Sequence, residues 1–499
     1  MKDLTKSVSP RWEHPLLLNP LPRTTADFIE AMGNRLPRFT AARDSQKEYS
    51  YGELDQLSRR VSGGLSETGI KPGDVIVIDL PVGVDLLLVF LAVTRMSAVA
   101  LPLNDLLQAD KVQYILEHTS PAAAIGDYAH QLSLPTFSLE DLITNRRCNP
   151  ALHPPREDTT AMIRMTSGTM GKPKLIPITH KQAMYRLPYE QTHFKPGARY
   201  GCVTPHNFPN YQIMTALGVG GTVIFHHEIH THALERFIAA ERITHFWGVP
   251  AAFALIADST GECQEDLSCL EAIISSGSYL DPEIKLAVEE RWQTPVYNCY
   301  GQSELGYLTE SDQDTPAGSV GKVISGVEVQ IVARENGEPL PPGETGQVLV
   351  KTEVPFPGYL TGEPSPVDED GWYITGDLGY LDQDSHLFLT GREKEFIHVS
   401  GFKVSPREVE KIIRSHPQIE EVYAFGEKER IRGEVVAVAV VKKDGASHLS
   451  ELKVKNFARN QLSGAKRPRQ VYFVSHLPKN RLGKVDRQKL FAMIARKKD

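Results

Sequence analysis

The sequence predicts an α/β fold built from layered sheets, and three observations carry that reading. Helical and strand patterns alternate through the first half of the chain. Short strands separated by turns take over after about residue 320, and mixed helix and strand return from about residue 395. At 499 residues the chain exceeds what one hydrophobic core organises, so two or more domains are expected. Its 41% hydrophobic and 23% charged residues are the composition of a soluble globular protein.

Leu54, Leu57, Val61 and Leu65 recur at spacings of three and four, which predicts an amphipathic helix. Gly69 and the turn Lys71-Pro72-Gly73-Asp74 end it, and residues 75–80 are a continuous apolar run suited to a buried strand. Residues 84–96 read as a buried helix leading into a second apolar run at 98–103. Arg95 and Ser97 interrupt the run and argue against a membrane span. Similar units recur at 212–225 and 234–249. Residues 327–332, 346–351 and 380–389 are expected as strands of a small β-rich subdomain. A small α+β unit follows. Its Ser405-Pro406-Arg407-Glu408 segment reads as a helix start, with Ser405 as cap, Pro406 at the first helical position and Glu408 completing a capping box. Val409, Ile412 and Ile413 supply the buried face of that helix.

Residues 1–22 are polar and lack the apolar core of a secretory signal. The five cysteines (148, 202, 263, 269 and 299) show no C-x-x-C spacing, so reduced thiols in a cytoplasmic protein are expected. Net charge is −7, but residues 451–499 hold 14 Lys/Arg against three acids, so the remainder carries −18. That basic end reads as a solvated face or as a docking surface for an anion. It lacks interleaved aromatics, and neither nucleic-acid binding nor membrane insertion is expected.

The strongest local signal is Met165-Thr166-Ser167-Gly168-Thr169-Met170-Gly171-Lys172-Pro173-Lys174, whose glycines, hydroxyls and lysines suit phosphate oxygens. It is not the common P-loop, because only two residues separate Gly168 from Gly171 and Pro173 follows Lys172. Four further segments carry chemistry-bearing residues. Tyr300-Gly301-Gln302-Ser303-Glu304 places a carboxylate just past a glycine turn, and Tyr373-Ile374-Thr375-Gly376-Asp377 places another in a polar turn between strands. Gly391-Arg392-Glu393-Lys394 and the segment 478–487, with Lys484, complete the set.

In this order the segments resemble the adenylate-forming superfamily of acyl-CoA synthetases, peptide-synthetase adenylation domains and luciferases, over about residues 50–490. The resemblance implies a large N-terminal domain (1–390), a hinge (391–394, with Lys394) and a small mobile C-terminal domain (395–499). It implies a ligase that converts ATP and a carboxylic acid to an acyl-adenylate and then passes the acyl group to a thiol. By that likeness Thr166, Ser167, Gly168, Thr169, Gly171 and Lys174 hold the phosphates of ATP, and Glu304 holds Mg²⁺. Ser276 and Gly277 line the adenine, and Tyr300 stacks on it, with Gly301 and Ser303 beside it in the same segment. Asp377 takes the ribose hydroxyls, Arg392 adds positive charge, and Lys484 bridges carboxylate and α-phosphate as the adenylation catalyst.

The run His206-Asn207-Phe208-Pro209 is similar to that of stand-alone aryl-acid AMP ligases, which load 2,3-dihydroxybenzoate or salicylate onto carrier proteins for siderophores. The likeness gives Asn207 the ring hydroxyl and His206 the carboxylate end, with Phe208, Gln212, Cys299 and Tyr307 as further substrate residues. Gln212 and Tyr307 depart from the small residues of that subgroup and are expected to shrink the pocket or add hydrogen bonds. The thiol acceptor is expected to be the phosphopantetheine of a carrier protein, with CoA as the alternative. Activation of a β-amino or other non-α-amino acid, and a non-catalytic adenylate-binding protein, are the rival readings. His226, His227, His230 and His232 with Glu228 lack the spacing of a zinc motif.

Overall fold

The computed structural model describes residues 22–103, 109–126, 132–144, 154–166, 173–185, 187, 194–203, 211–399, 402–429, 433–462, 464–479 and 485–496. The chain forms two compact units, Met1–Glu328 with Val350–Tyr373 and Val329–Leu349 with Ile374–Asp499. The layered α/β class expected from the sequence is what the structure has.

The first unit holds two large sheets. One has seven strands in the order Val296–Asn298, Ala272–Ser275, His245–Gly248, Arg199–Cys202, Thr222–Phe225, Thr40–Arg43, Glu48–Ser50, parallel except for the last. The other has six, in the order Thr136–Phe137, Ala123–Gly126, Val75–Asp79, Val99–Pro102, Thr160–Thr166, Lys174–Thr179, and again only the last is antiparallel. Parallel strands are covered on both faces, which is why they read as unbroken apolar runs such as Val75–Asp79. Helix Tyr51–Glu67 begins with a formed capping box between Ser50 and Glu53 and buries Leu54, Val61 and Leu65. Helix Val84–Arg95 is buried at every position except Asp85. Its Arg95 is compensated by an ion pair to Asp55 and a hydrogen bond from Nε to Ser58 Oγ at 3.2 Å.

Further along the chain, Val327–Val332, Gly346–Thr352, Tyr373–Leu381 and Leu387–Arg392 form a four-stranded sheet in that order. A five-stranded sheet is centred on Gly433–Lys442, which pairs with Ile397–Val399, Ile419–Glu429 and Gln470–Val474. Alternation along this central strand feeds two cores. Val436, Val438 and Val440 pack with Val409, Ile413 and Val454, while Ala437, Ala439 and Val441 pack with Leu490 and Ile494.

Three local expectations are corrected. Residues 380–389 are not one strand, because Asp382 accepts hydrogen bonds from the backbone N–H groups of Asp384 and His386 and turns the chain. Asp377 lies inside the strand Tyr373–Leu381 rather than in a turn, next to Gly376 at φ +71°. Helix Pro406–Arg414 starts at Ser405 with Pro406 in its first turn, but the Ser405 side chain makes no cap bond. Glu408 instead pairs with Lys466 at 2.6 Å, so the longer-range ion pair has displaced the capping box. Among the described residues, no helix is long and apolar enough to cross a membrane.

Candidate active site

In open parallel sheets, ligands bind outside the carboxyl ends of the strands, where the connecting loops open. In the seven-stranded sheet those ends deliver Gly248, Ser275-Ser276-Gly277 and Cys299-Tyr300 to one edge. Cys299 continues the ladder by donating its N–H to Ser275 O at 2.9 Å, and it is buried. Gly277 adopts φ +91°, a left-handed conformation that favours glycine. Tyr300 is buried, and its backbone is tied to Thr309 by bonds of 3.0 and 3.2 Å. Immediately beyond it, Gly301–Gln302 and Gly306–Tyr307 form a two-stranded hairpin. A Cβ on Gly301 would sit 2.5 Å from Gly306 O, so this close pairing requires glycine. Ser303 and Glu304 occupy the hairpin turn.

This hairpin brings together two residues that the sequence placed in the substrate pocket. The Gln212 side-chain amide donates to the Tyr307 hydroxyl, which donates to Ser276 Oγ at 3.1 Å. Trp247 Nε1 donates to the same Ser276 Oγ at 2.8 Å. Gln212, Trp247 and Ser276 are all buried. The result is a continuous polar line across helix Tyr211–Gly218, the hairpin and two strand ends. Ser276, which the sequence reading assigned only to the adenine, therefore also belongs to this line. Trp247 was missed at the sequence level. The available signal was an indole N–H at the end of an apolar strand, a donor that must find a partner when buried.

On the outer side of the hairpin, Tyr359 donates its hydroxyl to Glu304 Oε1 at 2.8 Å and lies 3.4 Å from the Tyr373 hydroxyl. Lys174 Nζ sits 3.9 Å from the centre of the Tyr359 ring. Burial, then the Glu304 charge, push both phenols above their ordinary range, so both stay protonated and neutral. Glu304 is half-buried, with one carboxylate oxygen engaged by Tyr359. Mg²⁺ takes one or two carboxylates and fills its shell with water and phosphate oxygens, and a single accessible Glu304 fits that demand. Lys174 pairs in register with Thr166 at the ends of their two strands, so the backbone of both is fixed at the foot of the Gly-rich segment.

In the second unit, Arg392 Nε donates to Asp377 Oδ1 at 2.8 Å, and the two residues are direct partners across antiparallel strands. Asp377 is further held by its own N–H donating to Thr375 Oγ1 at 3.0 Å, while Thr375 Oγ1 donates to Val348 O at 2.7 Å. Lys394 lies in the short 3-10 turn Glu393–Glu395 that follows.

Several expected site residues lie outside the described residues: Ser167, Gly168, Thr169, Gly171, His206, Asn207, Phe208 and Lys484. The histidine cluster does not assemble. His226 stacks on Phe237 at 4.3 Å and His232 Nδ1 lies 3.1 Å from Glu235, and no metal-ligating group of three occurs among the described residues.

Residues 29–360 match the family model of the AMP-binding enzyme, and residues 408–484 match that of the AMP-binding enzyme C-terminal domain. The chain is 27% identical to 4-coumarate–CoA ligase 3 of Arabidopsis thaliana, over 90% of this chain and 87% of the relative. It is 28% identical to oxalate–CoA ligase of the same plant, over 93% and 97%. Among solved structures it resembles ATP-bound MatB from Rhodopseudomonas palustris, with TM-score 0.86 and 25% identity over 95% of this chain and 99% of that one.

Proposed function

The chain belongs to the AMP-binding, adenylate-forming enzymes, and from that premise we propose that it activates a compact, polar-substituted aryl acid and transfers it to the thiol of CoA. Its family reaction is ATP-dependent formation of an acyl-adenylate. The observation that carries the acid class is the buried line Gln212–Tyr307–Ser276–Trp247. These groups already partner one another, so the line would give the acid a polar wall, where a hydroxyl or amino substituent adds a hydrogen bond and an alkyl chain adds none. Long aliphatic acids are therefore poor substrates, and a ring bearing a hydroxyl or amino group is a good one. The sequence run His206-Asn207-Phe208 supports the same choice.

Roles in the first step follow from charge. Two anions must approach each other, so cations and aligned donors have to offset their repulsion. Lys174 and the Gly-rich segment take the β- and γ-phosphates, Asp377 takes the ribose hydroxyls with Arg392 holding its carboxylate, and Tyr300 covers the adenine. Glu304 would hold Mg²⁺, which would supply positive charge against the phosphates. Lys484 stabilises the charge that develops between carboxylate and α-phosphate. We assign residues 391–394 as the hinge and the cytoplasm as the location of the enzyme.

CoA is the acceptor we favour, because the two relatives named above are CoA ligases. A carrier protein offers the same phosphopantetheine thiol, so the two are compared directly. The purified chain is incubated with ATP, Mg²⁺ and a hydroxybenzoate, with either CoA or phosphopantetheinylated carrier protein, and thioesters are read by mass spectrometry. Acyl-CoA formation supports the reading, whereas acylation of the carrier alone replaces CoA with the carrier. Absence of any thioester alongside normal pyrophosphate release overturns the transfer step.

A further inference from the structure

Tyr359 makes two contacts that no role above requires. Its hydroxyl binds Glu304, and its ring face carries the Lys174 ammonium, while the 3.4 Å contact with Tyr373 and the packing of Phe356 against both rings (centroids at 4.8 and 5.8 Å) fix its position. Lys174 and Glu304 carry opposite charges and are brought to the same tyrosine from strand Lys174–Thr179 and from the hairpin turn. Among the described residues the two charges meet the tyrosine rather than each other, the ammonium on its ring face and the carboxylate on its hydroxyl. Opposite charges gathered on one tyrosine attract, and a direct Lys174–Glu304 pair would occupy both the phosphate lysine and the metal carboxylate.

We propose that Tyr359 is a positioning residue that keeps Lys174 and Glu304 apart, leaving the lysine available to phosphate and the carboxylate to the divalent cation. A neutral aromatic is suited to this task. Its ring face attracts an ammonium without a competing full charge, and its hydroxyl fixes the carboxylate rotamer through one oxygen only.

The inference rests on the assignment of Lys174 and Glu304 to the Mg·ATP site. Its test is calorimetric binding of ATP to the whole chain, with Mg²⁺ and in EDTA, for the wild type, Tyr359→Phe and Tyr359→Leu. Phenylalanine keeps the ring and removes the hydroxyl, so ATP affinity in EDTA should stay unchanged while the gain on adding Mg²⁺ falls about tenfold. Leucine also removes the ring face, so the lysine collapses onto Glu304 and ATP binding in EDTA should weaken about threefold or more. Adding Glu304→Gln to Tyr359→Leu should then restore ATP affinity in EDTA, a rescue that a merely structural defect would not show. Unchanged Mg²⁺ gain in Tyr359→Phe, or no rescue by Glu304→Gln, overturns the proposal. A wild type whose ATP binding ignores Mg²⁺ would instead count against the underlying site assignment.

Discussion

Arg392 and Asp377 face each other directly across an antiparallel strand pair, joined by a 2.8 Å hydrogen bond from Nε to Oδ1. The pair is asymmetric: the Asp377 side chain is 6% exposed and that of Arg392 is 49% exposed. One partner is thus a buried anion whose orientation depends on a largely solvated cation.

That asymmetry predicts what removal of the arginine does. Arg392→Ala leaves a buried carboxylate short of one partner, and because the guanidinium is solvent-screened the loss of stability should be about 1 kcal/mol. The larger effect should fall on KM for ATP, since the ribose-binding carboxylate loses its fixed orientation. Urea denaturation and steady-state kinetics measure the two effects. An unchanged KM would detach Asp377 from the nucleotide.

Lys484 should separate the two half-reactions. Lys484→Ala is expected to lower ATP–pyrophosphate exchange by about 10²–10³ or more, while thioester formation from supplied acyl-adenylate continues. Near-normal exchange in this variant would remove the assignment.

The buried polar line should set acid preference. Tyr307→Phe deletes the hydroxyl that links Gln212 to Ser276 and leaves the Gln212 amide without its acceptor. Polar-substituted acids should lose about 1–3 kcal/mol in kcat/KM relative to unsubstituted benzoate. Competition between salicylate and benzoate reads the shift, and an unchanged ratio would place the substrate elsewhere.

His180 supplies a pH prediction outside the site. It is fully buried, and its Nδ1 accepts from the Thr25 backbone N–H at 3.3 Å, which fixes the neutral ring. Burial lowers its pKa from 6.5 to about 4. The unfolded chain then binds more protons below pH 6.5, so the contribution is complete above that value and is lost as pH falls towards about 4. The difference amounts to about 3 kcal/mol. Denaturation midpoints should therefore fall less steeply across this window in His180→Gln than in the wild type, and parallel curves would show that another group controls the acid limb.

Much of this was legible in the sequence, for identifiable reasons. The buried strand Val75–Asp79 and helix Val84–Arg95 were readable because both-sided burial leaves unbroken apolar runs. The two strands that carry Asp377 and Arg392 were misread because Gly376 and the Asp382–Ser385 stretch compete as turn signals, and only the second is a turn. Tyr359 and Trp247 escaped because their partners lie far away along the chain. Tyr359 reaches Glu304 across 55 positions, and Trp247 reaches Ser276 across 29. Local pattern carries no information about such pairings. Motif order could assign Glu304 and Lys174 separately, but not the tyrosine between them.

ATP–pyrophosphate exchange across benzoate, hydroxybenzoates, aminobenzoates, picolinates and short and long aliphatic acids tests the central claim most directly. The account predicts strongest exchange with a hydroxy- or amino-substituted aryl acid, weaker exchange with benzoate and little with long aliphatic acids. Exchange driven by aliphatic acids while salicylate-like acids fail would contradict it.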